Sequence, residues 1–210
     1  PRDLERDIEM ATEGGIDIVF APSVMEMYPN PLFTKVTVSG LTDRLCGSSR
    51  PGHFDGVATV VSKLFHIIEP DSAYFGQKDA QQLAVIEQMV KDLNFNVSIV
   101  PCPTIREVDG LAMSSRNVYL TSEERNQAVV LSQALKQIEK TWLSGKRDLT
   151  FLQSEAREII SQAPLAKIDY VEILSYPELI PIHYEQNIKY VVALAVYFGK
   201  TRLIDNVILA

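Results

Sequence analysis

The stretch from residue 72 to residue 103 constrains the fold more than any other. Ser72-Ala73-Tyr74-Phe75 is a short apolar run that ends on Gly76, then a cation, Lys78, and a carboxylate, Asp79. Gln81 to Leu93 places Leu83, Ile86 and Val90 at helical spacing. Asn96 to Val100 returns to a strand pattern and is closed by Pro101-Cys102-Pro103. Strand, helix and strand in this order argue for a parallel sheet covered by helices. Such a sheet binds ligands in the crevice beyond the carboxyl ends of its strands. A second polar segment, Leu111-Ala112-Met113-Ser114-Ser115-Arg116-Asn117, carries two hydroxyls and a guanidinium. Gly76 permits close backbone approach, Lys78 is a point charge and Arg116 a planar fork, a set that suits a phosphorylated ligand. An ATP-using enzyme is the leading expectation.

The rest of the chain extends this pattern. Pro1 to Met10 predicts a helix ended by Gly14-Gly15, and Ile16 to Phe20 a buried strand stopped by Ala21-Pro22. Thr34 to Val38 alternates like a strand. A turn-rich segment, Gly47 to His53, precedes Phe54, Val57, Val61, Leu64 and Ile68 at helical spacing. Beyond residue 104 the order changes. Thr121-Ser122-Glu123-Glu124 is a capping box opening a long helix to about Leu143, and a second helix runs from Leu149 to Gln162. Ile168–Leu174, Lys189–Phe198 and Thr201–Leu209 read as strands, the last two as a hairpin around Gly199-Lys200. Helices followed by consecutive strands predict a separate α+β domain. The expected division is 1–104 and 105–210.

Composition excludes several classes. The net charge is −7, and no Lys/Arg block exceeds two residues. A sequence-independent grip on nucleic acid needs many phosphate-neutralising cations, so no nucleic-acid partner is expected. No apolar run reaches the ~18 residues of a membrane span, and the opening residues are no signal peptide. The two cysteines, Cys46 and Cys102, lack metal-ligand spacing. Both are expected as reduced thiols, with no metal site and a cytoplasmic location.

Several blocks, in order, resemble the pantothenate synthetase family of pantoate–β-alanine ligases. They are Met27-Tyr28-Pro29, His53-Phe54-Asp55-Gly56-Val57, Phe75 to Gln82, Thr104-Ile105-Arg106-Glu107, Asp109 to Asn117 and Thr201-Arg202-Leu203-Ile204-Asp205-Asn206. The resemblance covers essentially the whole chain. It implies a nucleotidyltransferase-superfamily fold: a Rossmann-like parallel-sheet domain, N-terminally incomplete, with a smaller C-terminal α+β lid domain. Family members carry a further front segment with an HxGH motif, for which neither His53 nor His66 substitutes by position.

The implied reaction joins pantoate to β-alanine with ATP and Mg²⁺ through a pantoyl adenylate, releasing AMP and pyrophosphate. That is a step of pantothenate and coenzyme A biosynthesis. Gly76, Gln77, Lys78, Asp79, Ile105, Met113, Ser114, Ser115 and Arg116 would contact the nucleotide, and Gln82 would bind pantoate. Lys78, Ser114, Ser115 and Arg116 would act on the charge of the reacting phosphates.

Each assignment has a plainer alternative. Without the resemblance Lys78 reads as a solvated loop lysine, Asp79 as a helix N-cap and Gly76 as ordinary turn geometry. Ile105 and Met113 could be core residues, Gln82 a surface amide, and Ser114-Ser115 a connector. Arg50 and His53 have at most a supporting role, His66 reads as structural, and His183 has no assigned role. The family also implies a homodimer, to which Thr34–Val38 could lend an edge. Two other functional readings stand beside the ligase. One is an inactive fragment that binds nucleotide weakly or self-associates; the other is a different nucleotidyltransferase, such as a cytidylyltransferase-like enzyme.

Overall fold

The computed structural model describes residues 3 to 210. They form two compact units, one ending at Lys35 and one running Val36–Ala210. In the first unit, α1 spans Leu4–Glu13 and is capped by Asp3, whose carboxylate accepts from the Arg6 N–H at 3.1 Å. Pro1 and Arg2, included in the predicted helix, lie outside the described residues. Gly15 follows at φ 79, as the expected stop requires. A single turn, α2, Val24–Met27, is held by a capping box between Ser23 and Glu26. The strand expected over Ile16–Phe20 is absent. Its residues have no ladder partner among the described residues, and Ile18 is 83% exposed. A strand exists only as part of a sheet, so apolar pattern alone does not make one.

Thr34–Val38 is likewise irregular. The Val36 N–H donates to the Thr59 hydroxyl at 2.9 Å rather than to a neighbouring strand. The second unit then continues through a short turn, α3, Cys46–Ser49, and a long helix, α4, His53–Ile68. Gly52 enters α4 in the left-handed region at φ 75, a conformation that favours glycine. β1, Ser72–Gly76, leads through a 3-10 turn, Gln77–Asp79, into α5, Ala80–Asp92, and then to β2, Ser98–Cys102. β1 and β2 pair in parallel, from Ser72 with Ser98 to Gly76 with Cys102. Phe54, Ala58 and Phe65 of α4 meet Val85, Ile86 and Met89 of α5 in one core, against partly buried Phe75 and Ile99.

The C-terminal part begins with α6, Ser122–Ala128, whose Thr121–Glu124 capping box forms as predicted. The expected long helix breaks at Val129 before α7, Val130–Leu143. There the Val129 carbonyl accepts both the Ser132 hydroxyl at 3.0 Å and the Gln133 N–H at 3.2 Å, and its own backbone stays helical, so the two helices follow each other closely. α8, Leu149–Ser161, is followed by β3, Ala166–Tyr176, β4, Lys189–Phe198, and β5, Thr201–Leu209. These form an antiparallel sheet in the order β3-β4-β5.

β4 is buried on both faces. Val192, Leu194 and Val196 pack on Leu131, Leu135 and Ile138 of α7 and Leu152, Ala156 and Ile160 of α8. Val191 and Ala193 face the other way, toward Leu45 and toward Ala80 and Ala84 of α5. The small alanines on both elements let the sheet approach the start of α5 closely. That contact brings β5 beside the turn carrying Lys78.

Candidate functional site

The turn Gln77–Asp79 is built by the strand-to-helix transition. Asp79 is the N-cap of α5, with its Oδ1 accepting from the Gln82 N–H at 3.2 Å. The plainer reading of Asp79 is therefore present in the structure, and it leaves Oδ2 for a second role. Gly76 sits at φ −69 and ψ 129, a conformation open to any residue. No atom lies within 4 Å of where its Cβ would stand. Turn geometry thus does not require glycine there, and the space beside its Cα is open to a ligand.

Lys78 is half-buried, and among the described residues its ammonium makes no ion pair. Burial draws its pKa below the ordinary lysine value. Asp205 and Asp79 work against that shift, while Arg116 and Arg106 add to it. His53 also feels Arg116. Its pKa is lowered by burial and by Arg50, with Asp79 opposing. The Arg50 Nη1 lies 3.2 Å from His53 Nε2. A guanidinium only donates, so Nε2 is the acceptor and the imidazole is neutral. Lys78, Arg116, Arg50 and His53 thus share one electrostatic neighbourhood beyond the carboxyl end of β1.

The adjacent glutamines on α5 divide sharply. Gln81 is buried; its amide donates to the Leu41 and Arg44 carbonyls, each at 2.8 Å, and its Oε1 accepts from the Cys46 N–H at 3.0 Å. It braces the loop before α3. The half-buried Gln82 amide makes no hydrogen bond among the described residues, so it remains available to a ligand.

The second loop is a tight hairpin. Met113 N–H donates to Ile105 O at 2.9 Å, Arg106 bridges Ala112, and Glu107 N–H donates to Leu111 O at 2.8 Å. Gly110 closes it at φ 96, a left-handed conformation that favours glycine, with the Ser132 hydroxyl 3.0 Å from its would-be Cβ, so a side chain there would be strained and crowded. Ile105 and Met113 are 66% and 53% exposed and stand side by side. They are not core residues, which removes their plainer alternative. Ser114 caps a 3-10 turn, Ser115–Tyr119, by accepting from the Arg116 N–H at 3.2 Å, while the side chains of Ser115 and Arg116 are exposed.

Asn117 anchors the loop. Its amide donates to Glu107 Oε1 at 2.8 Å and to Ala112 O at 3.2 Å. Its Oδ1 is buried without a partner. Arg125 holds Glu107 and Asp109, and hydrogen bonds from Arg125 and then Asn117 keep the Glu107 carboxyl below its usual range.

Two residues beside Lys78 were given no role by the sequence reading. Asn206 Nδ2 donates to the carbonyls of Gln77 and Lys78 at 2.8 and 2.9 Å. Asp205, with its side chain 1% exposed, takes a bidentate pair from Arg106 at 2.7 and 3.0 Å. The signal was present: two consecutive polar residues inside the apolar run Leu203 to Ile208 must both be satisfied when buried. His66 is exposed and packs its ring on Phe95, with centroids 5.0 Å apart, away from these groups.

A parallel strand–helix–strand unit with a cationic turn at its carboxyl end, followed by helices and an antiparallel sheet, is an α/β architecture of the nucleotidyltransferase-like class. Sequence comparison narrows the class. The family model described as pantoate-beta-alanine ligase matches residues 1–208. The pantothenate synthetase of Caldicellulosiruptor saccharolyticus is 55% identical over 99% of this chain and 74% of its own length. That of Carboxydothermus hydrogenoformans is 57% identical over 100% and 74%. Among solved structures, the pantothenate synthetase of Thermus thermophilus superposes with TM-score 0.92 at 44% identity, over 99% of this chain and 75% of that one. A Francisella tularensis pantoate-beta-alanine ligase complexed with beta-gamma ATP and beta-alanine gives TM-score 0.75 at 34% identity, over 99% and 70%. The chain belongs to the pantoate–β-alanine ligase family.

Proposed function

We propose that this chain condenses pantoate with β-alanine using ATP, through a pantoyl adenylate. The observation that carries the reading is the half-buried Lys78 ammonium, unpaired among the described residues and sharing its surroundings with Arg116. A cation held in this way has its stabilising counter-charge still to come, and phosphate oxygens supply it. In this reading Lys78 meets the ATP phosphates. Gly76 and Gln77 lie along the nucleotide, and the unused Asp79 oxygen accepts from the ribose hydroxyls. Ile105 and Met113 lie against the adenine. The Gln82 amide holds pantoate.

The pantoate carboxylate attacks the α-phosphorus, and the β-alanine amine then attacks the activated carbonyl. The protein contributes position and charge. Lys78 and Arg116 offset negative charge as pyrophosphate leaves, with the Ser114 and Ser115 hydroxyls donating alongside. Mg²⁺ is expected on phosphate oxygens rather than in a protein cage. The domain boundary falls near Thr104, between 1–104 and 105–210, and the second of these brings the Met113–Arg116 loop as a lid toward the Lys78 turn and keeps water from the adenylate. A homodimer in the cytoplasm completes the proposal, the location being in keeping with two free cysteines.

The test is AMP formation by the purified protein. AMP release that requires both pantoate and β-alanine is the expected result. AMP release that ignores pantoate, or pyrophosphate release from CTP and a phosphorylated alcohol with no AMP formed from ATP, would overturn it. Sedimentation at micromolar concentration tests the dimer, and a single monomer boundary would contradict it.

A further inference from the structure

We infer that Asp205 and Asn206 are positioning residues of the site: Asn206 fixes the turn that presents Lys78, and Asp205 ties that point to the loop that presents Arg116. The inference rests on the nucleotide reading above for its purpose, but not for its geometry.

β5 is otherwise apolar around these two positions, from Leu203 and Ile204 to Val207 and Ile208. Both polar residues are buried, at 2% and 8% exposure. Apolar side chains would satisfy a strand there without any hydrogen-bond demand. What the polar pair adds is connection. Asn206 Nδ2 has two hydrogens, and they go to the consecutive carbonyls of Gln77 and Lys78. The backbone that aims Lys78 is thereby held from the sheet and not only from its own strand and helix. Asp205 Oδ1 accepts from the Asn206 N–H at 2.9 Å and from Arg106 Nη2, and its Oδ2 accepts from Arg106 Nη1.

Arg106 extends the link to the second loop. Its Nη1 also donates to Gly110 O at 3.2 Å, and its backbone bridges Ala112, one residue before Met113. One strand therefore grips both catalytic segments through adjacent side chains. A relative shift of the Lys78 turn and the Met113–Arg116 loop must break one of these contacts. The groups facing Lys78 are Asp205 from β5, Asp79 from its own turn, and Arg106 and Arg116 from the hairpin loop.

The experiment uses the chain with its lysines reductively ¹³C-dimethylated for NMR, the Lys78 methyl signal being identified by its loss in Lys78→Ala. ATP affinity is measured by calorimetry on unmethylated protein. In Asn206→Ala the Lys78 signal should move or broaden while that of distant Lys189 stays. ATP binding should weaken roughly fivefold to tenfold, the size of one or two lost hydrogen bonds. In Asp205→Asn the Lys78 titration should move to lower pH, because a carboxylate that favours the ammonium is gone. Asn206→Ser, which keeps a single polar group, replaces the alanine variant should that one unfold.

An unchanged Lys78 signal and titration in both variants would overturn the inference. So would wild-type ATP affinity in Asn206→Ala. If the unaltered chain binds no ATP while Lys78 still responds to both substitutions, the positioning role stands and the nucleotide reading falls.

Discussion

The two segments proposed to bear the site are held in opposite ways. The Lys78 turn is fixed from three directions: the Asp79 cap on α5, the β1–β2 ladder, and the Asn206 amide on its carbonyls. The loop from Met113 to Arg116 is pinned at its base by Asn117, Glu107 and Arg125, but the side chains of Met113, Ser115 and Arg116 reach into solvent. The contrast teaches a division of labour. A half-buried cation must be placed accurately, because water does little to screen an error there. Exposed hydroxyls and a guanidinium on a short loop are free to close on charge that develops during the reaction.

Breaking the fixed side should cost most. Lys78→Ala should reduce pantoate-dependent adenylation by at least about tenfold, within the range seen for lost charge stabilisation, with little change in melting temperature. Steady-state kinetics and a thermal melt check both halves. On the exposed side, Arg116→Ala should lower kcat by a few-fold to about tenfold and leave ground-state ATP affinity nearly intact. An equal loss in affinity would mean that the loop is already closed on the bound nucleotide.

The paired glutamines sharpen the comparison. Gln81→Ala strands the Leu41 and Arg44 carbonyls and the Cys46 N–H, and should cost about 2–4 kcal/mol of stability in urea unfolding. Gln82→Ala should stay within about 0.5 kcal/mol of the parent while weakening pantoate binding. The smallest effect is on pH. The Lys78 pKa lies below the ordinary lysine value, so its charge fades as pH rises through that lowered value, before exposed lysines titrate. ATP affinity should fall over that alkaline window, and ATP binding should take up protons there. In Lys78→Ala the fall should disappear.

Local pattern carried much of the fold. The β1-α5-β2 unit, the Thr121 capping box and the C-terminal hairpin formed close to their predicted limits, because each is stabilised by neighbours in sequence or by strong amphipathic spacing. Ile16–Phe20 and Thr34–Val38 failed as strands because pairing is a property of the partner, which periodicity does not report. The candidate site was read from two short motifs, around Lys78 and around Arg116, and the structure brings these two residues into one electrostatic neighbourhood. Its supports were not legible in this way. Gln81 and Gln82 look alike in sequence, and only the fold shows that one is a brace and the other is open. Asp205 and Asn206 lie far along the chain from Lys78, and their role depends on the approach of β5 to the start of α5.

Exchange of labelled pyrophosphate into ATP tests the central claim most directly. It reads the first half-reaction alone, at the phosphates that Lys78 is proposed to meet. The account predicts exchange that needs pantoate, proceeds without β-alanine, and drops at least about tenfold in Lys78→Ala. Exchange that is indifferent to pantoate, or that persists undiminished without Lys78, would contradict it.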